Sequence, residues 1–226
     1  MFTLESMAKR PPQQTRVPLD RERILRAALA ITDEAGIEAL TMRRLGAELG
    51  FEGMSLYHHV ASKDDLLDGM LDLVLDETQP PAASEPWDAA IRASALSVHE
   101  ALRRHPWACR LLMSAARIRP ARLRYMDSLL ERLHDAGFDA DLTYNAYHVL
   151  DAHIFGFSLW LAAYTYDTEQ AAALAASLDD FIPPGEYPHL NEHARQHMSE
   201  GPHHDVDAFA LGLDLLLDGL KRTRSG

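Results

Sequence analysis

One cysteine, Cys109, stands among the 226 residues. An internal disulfide is therefore excluded, and a reducing cytoplasm is the expected location. Long apolar runs are missing too: the longest strongly apolar stretch, Ile154 to Tyr164, falls well short of the roughly 20 residues a bilayer span needs. No secretory leader pattern is visible. Period-two alternation is absent throughout, so strands are not expected and the fold class reads as all-α. The chain has no nucleophile elbow, no phosphate-cradling glycine loop, no complete metal-ligand set and no internal repeat. What it does have is a 47% apolar composition, enough for a sizeable core in one to two domains.

The formal net charge of −12 by itself argues against nucleic-acid binding, but the charge is unevenly distributed. Residues 1 to 63 carry nine Lys or Arg against eight Asp or Glu, a net of +1, and the remaining 163 residues carry −13. An acidic body behind a near-neutral head discourages loose adhesion to polyanions and leaves binding to specific contacts.

The head is read helix by helix. Asp20 is a favourable N-cap, and Ile24, Leu25, Ala28, Leu29, Ile31 and Ala35 form one apolar face up to Gly36. Thr41 can cap a second helix with Leu45 and Leu49 inward, ended by Gly50, where a left-handed residue is expected. A short third helix over about Gly53 to His59 must be held by Leu56 and Phe51, because so few residues are not helical alone. Ser62 and Asp65 have capping-box spacing and open a fourth helix with Leu66, Leu67, Met70, Leu71, Val74 and Leu75 inward. Two short helices joined by a Gly turn are the helix-turn-helix arrangement, whose second helix enters the major groove. An ordinary helical hairpin has the same local pattern.

The string Thr41-x-x-x-Leu45-Gly46-Ala47-x-Leu49-Gly50-Phe51, then Leu56-Tyr57-x-His59-Val60-x-x-Lys63-x-x-Leu66-Leu67, resembles the head of the tetracycline-repressor (TetR) family of bacterial transcriptional regulators. The resemblance implies that Arg43 reads a base or a phosphate from the second helix. It also implies that Ser55, Tyr57 and His59 lie on the recognition helix and that Lys63 holds a phosphate. With Thr41, Met54 and His58 these make the expected DNA-binding set: Thr41, Arg43, Met54, Ser55, Tyr57, His58, His59 and Lys63. Gly46 departs from the family, which usually has Ala there, at a cost of roughly 1 kcal/mol in helix propensity.

Before the head, residues 1–19 carry Lys9, Arg10 and Arg16 among Pro11, Pro12 and Pro18 and read as a flexible arm, either solvated or reaching into a minor groove. The helix-turn-helix domain is expected over 20–66 and a ligand-binding and dimerisation body over 67–226. In the body, helices are expected from Trp87 to His105, from Pro106 through Leu112, and from Pro120 to Gly137 with Leu123, Met126, Leu130 and Leu133 inward. Asp139 or Asp141 then opens a long helix to about Tyr166, followed by an Ala-rich helix over Thr168 to Phe181 and a last helix over Asp205 to Lys221.

The long helix is apolar almost all round, so it must be covered on more than one side. The string Phe209-x-x-Gly212-Leu213-x-Leu215-x-x-x-Gly219-Leu220 is similar to the family's dimerising last helix. The expected homodimer interface is Phe157, Phe209, Gly212, Leu213, Leu216, Gly219 and Leu220. The resemblance also implies an effector pocket in the body, for which Trp107, Met113, Met126, Tyr144, Tyr147, His148 and Trp160 are the expected lining: large apolar walls with a few polar tips. Any of these can equally serve as ordinary core.

In the family, tetracycline sensing uses a magnesium ion with a His ligand, a second His, and a Glu from the partner. Those positions fall here on Met113, Gln79 and Trp160, which cannot do that chemistry. An organic effector without metal and without any other cofactor is therefore expected. His189, His193 and His197 have the i, i+4 spacing of a zinc pair, but a solvated polar segment explains them as well.

The expected function is thus a sequence-specific, homodimeric repressor that binds a double-stranded operator and is released by a small molecule. The alternatives are a ligand-independent regulator or activator, and an enzyme using Asp151 with His148 or His153 as acid and base.

Overall fold

The computed structural model describes residues 18–114, 118–163, 186–193 and 204–224, with side chains from 208 onward in the last stretch. Among these residues there are helices and turns and no strand. The Ala-rich segment over 168–181, the arm before 18 and His197 lie outside the described residues.

Local chemistry fixes the first five helical elements. α1 (Arg21–Ala35) starts where the Asp20 carboxylate accepts the Arg23 amide at 2.8 Å, the capping bond expected of Asp there. A 3-10 turn, Ile37–Ala39, follows, which the apolar periodicity does not announce. α2 (Met42–Leu49) is capped by Thr41 Oγ1 on the Arg44 amide at 3.1 Å and ended by Gly50 at φ 76°. The recognition segment Gly53–His58 is a 3-10 helix rather than an α-helix, short enough to need packing for its stability. Ser62 caps α3 (Lys63–Asp76) through its hydroxyl and the Asp65 amide at 3.0 Å.

The α2 turn is tighter than a generic hairpin. A Cβ at Gly46 would meet Gly53 N and Phe51 O at 2.7 Å, and one at Gly53 would meet Met42 O at 2.8 Å. Two glycines facing each other thus set how closely the recognition helix sits on α2. The departure from Ala at 46 is a fit between these two elements, which offsets its helix-propensity cost.

The body follows with α4 (Trp87–Arg104), α5 (Pro106–Leu112), α6 (Pro120–Asp135), α7 (Ala140–Ala163) and α8 (His204–Arg224). Pro106 and Pro120 sit at the first helical position, where a missing N–H is harmless. Asp139 is the residue that caps α7, accepting the Leu142 amide at 2.8 Å. α7 is the central strut, with α4, α5, α6 and α8 packed against it. Arg92–Asp214 and Lys221–Asp88, both at 2.6 Å, tie α8 back to α4.

Two apolar cores result, and α3 belongs to both. Leu66, Leu67 and Met70 close the head core with Ile24, Leu45 and Leu56, whereas Leu71 and Val74, one turn on, enter the body core. Two expectations are corrected here. Ala35 is exposed, since Gly36 redirects the chain at that point. On α6 the buried residues are Ala121, Arg122, Tyr125, Leu129 and Leu133, so Leu133 is inward as expected while the rest of the inward face is rotated by about one residue. Leu123 is 52% exposed, and Met126 and Leu130 only flank the core. A stripe of leucines suggested the wrong phase because a buried arginine holds the true one.

Candidate functional site

The expected DNA-contacting residues come from three adjoining pieces: the start of α2, the 3-10 helix and the start of α3. Arg43, Tyr57, His58 and Lys63 are exposed, and Met54 is 74% exposed. Two hydroxyls have structural duties: Thr41 Oγ1 accepts the Arg44 amide, and Ser55 Oγ donates to the Glu52 carbonyl at 2.7 Å. His59 is half-buried, and its carbonyl accepts from Arg21 at 3.3 Å. The Gly53 backbone lies against that of Met42 and Arg43, so the start of α2 and the start of the recognition helix form one ridge.

An unforeseen bond fixes the turn behind that ridge. Asp65 accepts two bonds from the Arg21 guanidinium at 2.7 and 2.8 Å and one from the Ala61 amide at 2.8 Å. The Arg21 bond, opposed by partial burial, holds the Asp65 carboxyl below its ordinary range. The capping box is therefore half of what its spacing suggested. Ser62 caps as expected, but Asp65 reaches Ala61 and α1 rather than the Ser62 amide.

Polar bridges join body to head. Asp33 on α1 accepts from His105 Nδ1 at 2.8 Å and from Trp107 Nε1 at 2.7 Å. Arg119, 7% exposed just before α6, pairs with Asp68 on α3. Arg124 reaches Asp72 at 2.6 Å, and Arg104 pairs with Glu77.

The expected pocket residues do not converge. Trp107 is committed to the head–body seam. Tyr144 is 64% exposed and packs on the exposed His148, whose Nδ1–H donates to the Tyr144 carbonyl at 2.7 Å. Trp160 and Met113 are exposed at 44% and 43%, and Met126 is half-buried. Tyr147 alone of the seven is buried, its hydroxyl 3.4 Å from Arg122. Aromatic residues all round α7 gave no phase by which to choose the inner ones.

The body interior is instead organised by polar residues. Arg122 on α6 donates to Asp151 on α7 at 2.5 Å and lies 4.3 Å over the Phe155 ring. Tyr125 packs edge-on to Phe155 at 5.5 Å, and burial pushes its phenol well up. Burial likewise raises the Cys109 thiol to about 11, and its Sγ–H donates to the Phe155 carbonyl at 3.4 Å. His99 is 2% exposed, stacks on Phe209 at 3.9 Å and lies 3.0 Å from Ser158 Oγ. The acid–base grouping of Asp151 with His148 or His153 is not assembled. Asp151 faces Arg122, His148 faces solvent, and His153 Nε2–H donates to the Phe209 carbonyl at 2.9 Å.

The expected interface residues divide. Phe209, Leu213 and Leu220 are buried inside their own chain, and a Cβ on Gly212 would strike His153 at 2.5 Å. These four complete the core between α4, α7 and α8. Phe157, Leu216 and Gly219 are half-buried. The apolar surface left outside is different: Leu211 and Leu215 on α8, at 62% and 65% exposure, and Val149, Leu159 and Trp160 on α7. Among the described residues no group of three or more His, Cys, Asp or Glu is placed to hold a metal ion, and no helix is long and apolar enough to cross a membrane.

Comparison with known proteins agrees with this two-part build. The family model described as bacterial regulatory proteins, tetR family, matches residues 24–70, and the tetracyclin repressor-like C-terminal domain matches 79–224. The helix-turn-helix-type transcriptional repressor DrrR1 of Streptomyces coeruleorubidus is 31% identical over 224 residues, covering 94% of this chain and 81% of its own length. The class D tetracycline repressor protein of Escherichia coli is 40% identical, but over 38% of this chain and 41% of its own length. ActR of Streptomyces coelicolor, solved in complex with actinorhodin, is similar at a TM-score of 0.70 and 27% identity, over 93% of this chain and 100% of that one. The chain therefore belongs to the TetR family and is a transcriptional regulator with an N-terminal helix-turn-helix DNA-binding domain.

Proposed function

We propose that the protein is a homodimeric, sequence-specific repressor, acting in the cytoplasm, that leaves its operator when a small aromatic or apolar effector without metal binds the body. The observation that carries this reading is the shared helix α3. Its first half closes the head core and its second half enters the body core, while Arg119 and Arg124 of the body hold Asp68 and Asp72 along it. Any rearrangement of α6 must then tilt the head. A dimer reads two half-sites only when its recognition helices sit about one DNA turn, roughly 34 Å, apart. An effector that prefers the wrong spacing shifts the population off DNA by that difference in affinity.

The exposed leucines of α8 and the exposed Val149, Leu159 and Trp160 of α7 supply the apolar face for a second copy. On DNA, Arg43 reads a base or a phosphate, Met54 and the surface of Ser55, His58 and His59 face the groove, and Tyr57, Lys63 and Thr41 hold the backbone. The organic effector finds a parallel in ActR, which was solved with actinorhodin.

Gel shift with the DNA upstream of its own reading frame, with and without actinorhodin and a chelator, tests the reading. A salt-sensitive shift reversed by the ligand in chelator supports it. No shift with any selected DNA would remove the operator, and release that requires magnesium would remove the metal-free effector. In the same assay Arg43→Ala should relax preference at one base pair by roughly 1 to 3 kcal/mol if the contact is bidentate.

A further inference from the structure

The His99 imidazole has one nitrogen that nothing among the described residues uses. Ser158 Oγ donates to the Ile154 carbonyl at 2.7 Å, so its lone pairs are what His99 Nδ1 meets at 3.0 Å. Nδ1 therefore carries the proton, and Nε2 is a bare acceptor. Nε2 is buried and has no hydrogen-bond partner among the described residues. Burial above all keeps the ring neutral, lowering its pKa to about 4.

His99 and Ser158 also line a cavity of about 20 Å³ between α4, α5 and α7, whose remaining walls include Leu102, Pro106, Leu161 and Ala162. Such a volume holds one water or one hydroxyl group. With Nδ1 committed to Ser158 and one ring face covered by Phe209, the lone pair on Nε2 is the polar capacity the imidazole has left for an occupant. Arg103, also on the border, is turned to Glu100 at 2.9 Å. Phe157 lies edge-on to His99 at 5.6 Å, and Leu161 and Ala162 are half-buried, so among the described residues the cavity lies under thin cover beside aromatic surface.

We infer that this cavity takes the hydroxyl of an uncharged, phenol-like effector, which donates its proton to His99 Nε2. The inference rests on the effector reading above and names the chemistry of the ligand. A carboxylate or phosphate would set its lone pairs against that of Nε2, and a cation would have to be desolvated among apolar walls. A neutral donor avoids both costs and satisfies the acceptor, whose burial without a partner is itself unfavourable. The adjoining Phe157 and Leu161 suit an aromatic ring behind the hydroxyl.

The test uses the full-length protein with 15N-labelled histidine and two probes, 2-naphthol and 2-methoxynaphthalene, which differ in the donated proton. The expected result is that 2-naphthol binds up to about tenfold more tightly than the ether, the scale of one neutral hydrogen bond. The signal of the unprotonated His99 nitrogen should move on titration. In His99→Phe, which keeps an aromatic ring against Phe209, the preference for the naphthol should vanish. Equal affinity for both probes, no binding of 2-naphthol, or naphthol binding with the His99 signals unmoved would overturn the site. Operator release is read separately. Naphthol bound at His99 without release of DNA would keep the site and refute the effector mechanism, whereas release with His99 silent would do the reverse.

Discussion

The head and the body are held together by different ranges of interaction. In the head, Asp20, Thr41 and Ser62 each cap a helix through a bond to an amide three residues away, and Gly36 and Gly50 turn the chain with positive φ. In the body, the organising contacts join residues far apart in sequence: Arg122 to Asp151, His99 to Ser158, Arg92 to Asp214. Short-range chemistry specifies where elements begin and end, and long-range pairing specifies which side of a helix faces inward. The head's element boundaries are therefore set locally, with the exposed Arg21–Asp65 pair as a long-range tie, whereas the body's interior depends on buried polar pairs whose removal leaves a charge or a lone pair stranded.

The strongest contrast lies between two ion pairs. The side chains of Arg122 and Asp151 are 9% and 13% exposed, whereas those of Arg21 and Asp65 are 43% and 33% exposed. Removing one buried partner strands the other, so Arg122→Ala or Asp151→Ala should each cost about 3–5 kcal/mol in urea unfolding. Arg122→Met combined with Asp151→Leu should recover most of that loss, because the pair as a whole offsets little more than its own desolvation. Arg21→Ala in the head should cost about 1 kcal/mol or less. Equal losses at both sites would erase the distinction between the two regions.

Titration separates them next. The folded-state pKa of His99, about 4, lies below its ordinary 6.5. Protons therefore prefer the unfolded chain, and stability should fall as pH drops from about 6.5 to about 4, by on the order of 3 kcal/mol. Burial dominates this shift; the nearby Glu100 works against it and Arg103 and His153 work with it. Asp65 in the head, whose pKa is lowered by Arg21, should lose its contribution only as pH falls through and below the usual carboxylate range. Thermal unfolding of wild type and His99→Phe across this window checks the assignment: a variant that keeps the same decline between 6.5 and 4 would exclude His99 as its source.

Gly46→Ala comes third, because two effects oppose each other. Ala gains roughly 1 kcal/mol in helix propensity, but its Cβ would stand 2.7 Å from backbone atoms of Gly53 and Phe51, which cannot rotate away. Overpacking of this kind typically costs about 1–3 kcal/mol. Net destabilisation of the head and weaker operator binding are expected, with unfolding of the body core unchanged. A more stable variant with intact DNA affinity would show that the recognition helix is not seated by these glycines.

The same division decides what could be read before the structure was known. The caps at Asp20, Thr41 and Ser62 and the breaks at Gly36 and Gly50 were legible, because each is a rule about residues three or four apart. The family resemblance extended that reading to the whole fold. The phase of α6 was not legible, since an arginine occupies its innermost turn and pairs with Asp151 on another helix. The inner face of α7 was hidden by aromatic residues on every side, so Tyr144 and Trp160 looked as buried as Tyr147. His99 follows Ala95 by four residues and precedes Leu102 by three, so its burial was legible from the apolar stripe, but its role was not, because its partners Ser158 and Phe209 lie on other helices.

The smallest expected effect probes the junction itself. Ser62 caps α3, whose buried residues enter both cores, and α3 also begins with Asp64 and Asp65 in its first turn. Those carboxylates favour the positive end of the helix dipole, and Asp65 additionally holds the Ala61 amide. Ser62→Ala should therefore cost about 1 kcal/mol, the ordinary value for a lost cap, with fraying confined to the first turn. Hydrogen exchange at the amides of residues 63–66 should quicken, while exchange at 71–74, locked in the body core by Leu71 and Val74, stays unchanged. Faster exchange along the entire helix would mean that head and body do not hold α3 independently, and the tilt of one piece could not be transmitted as a rigid motion to the other.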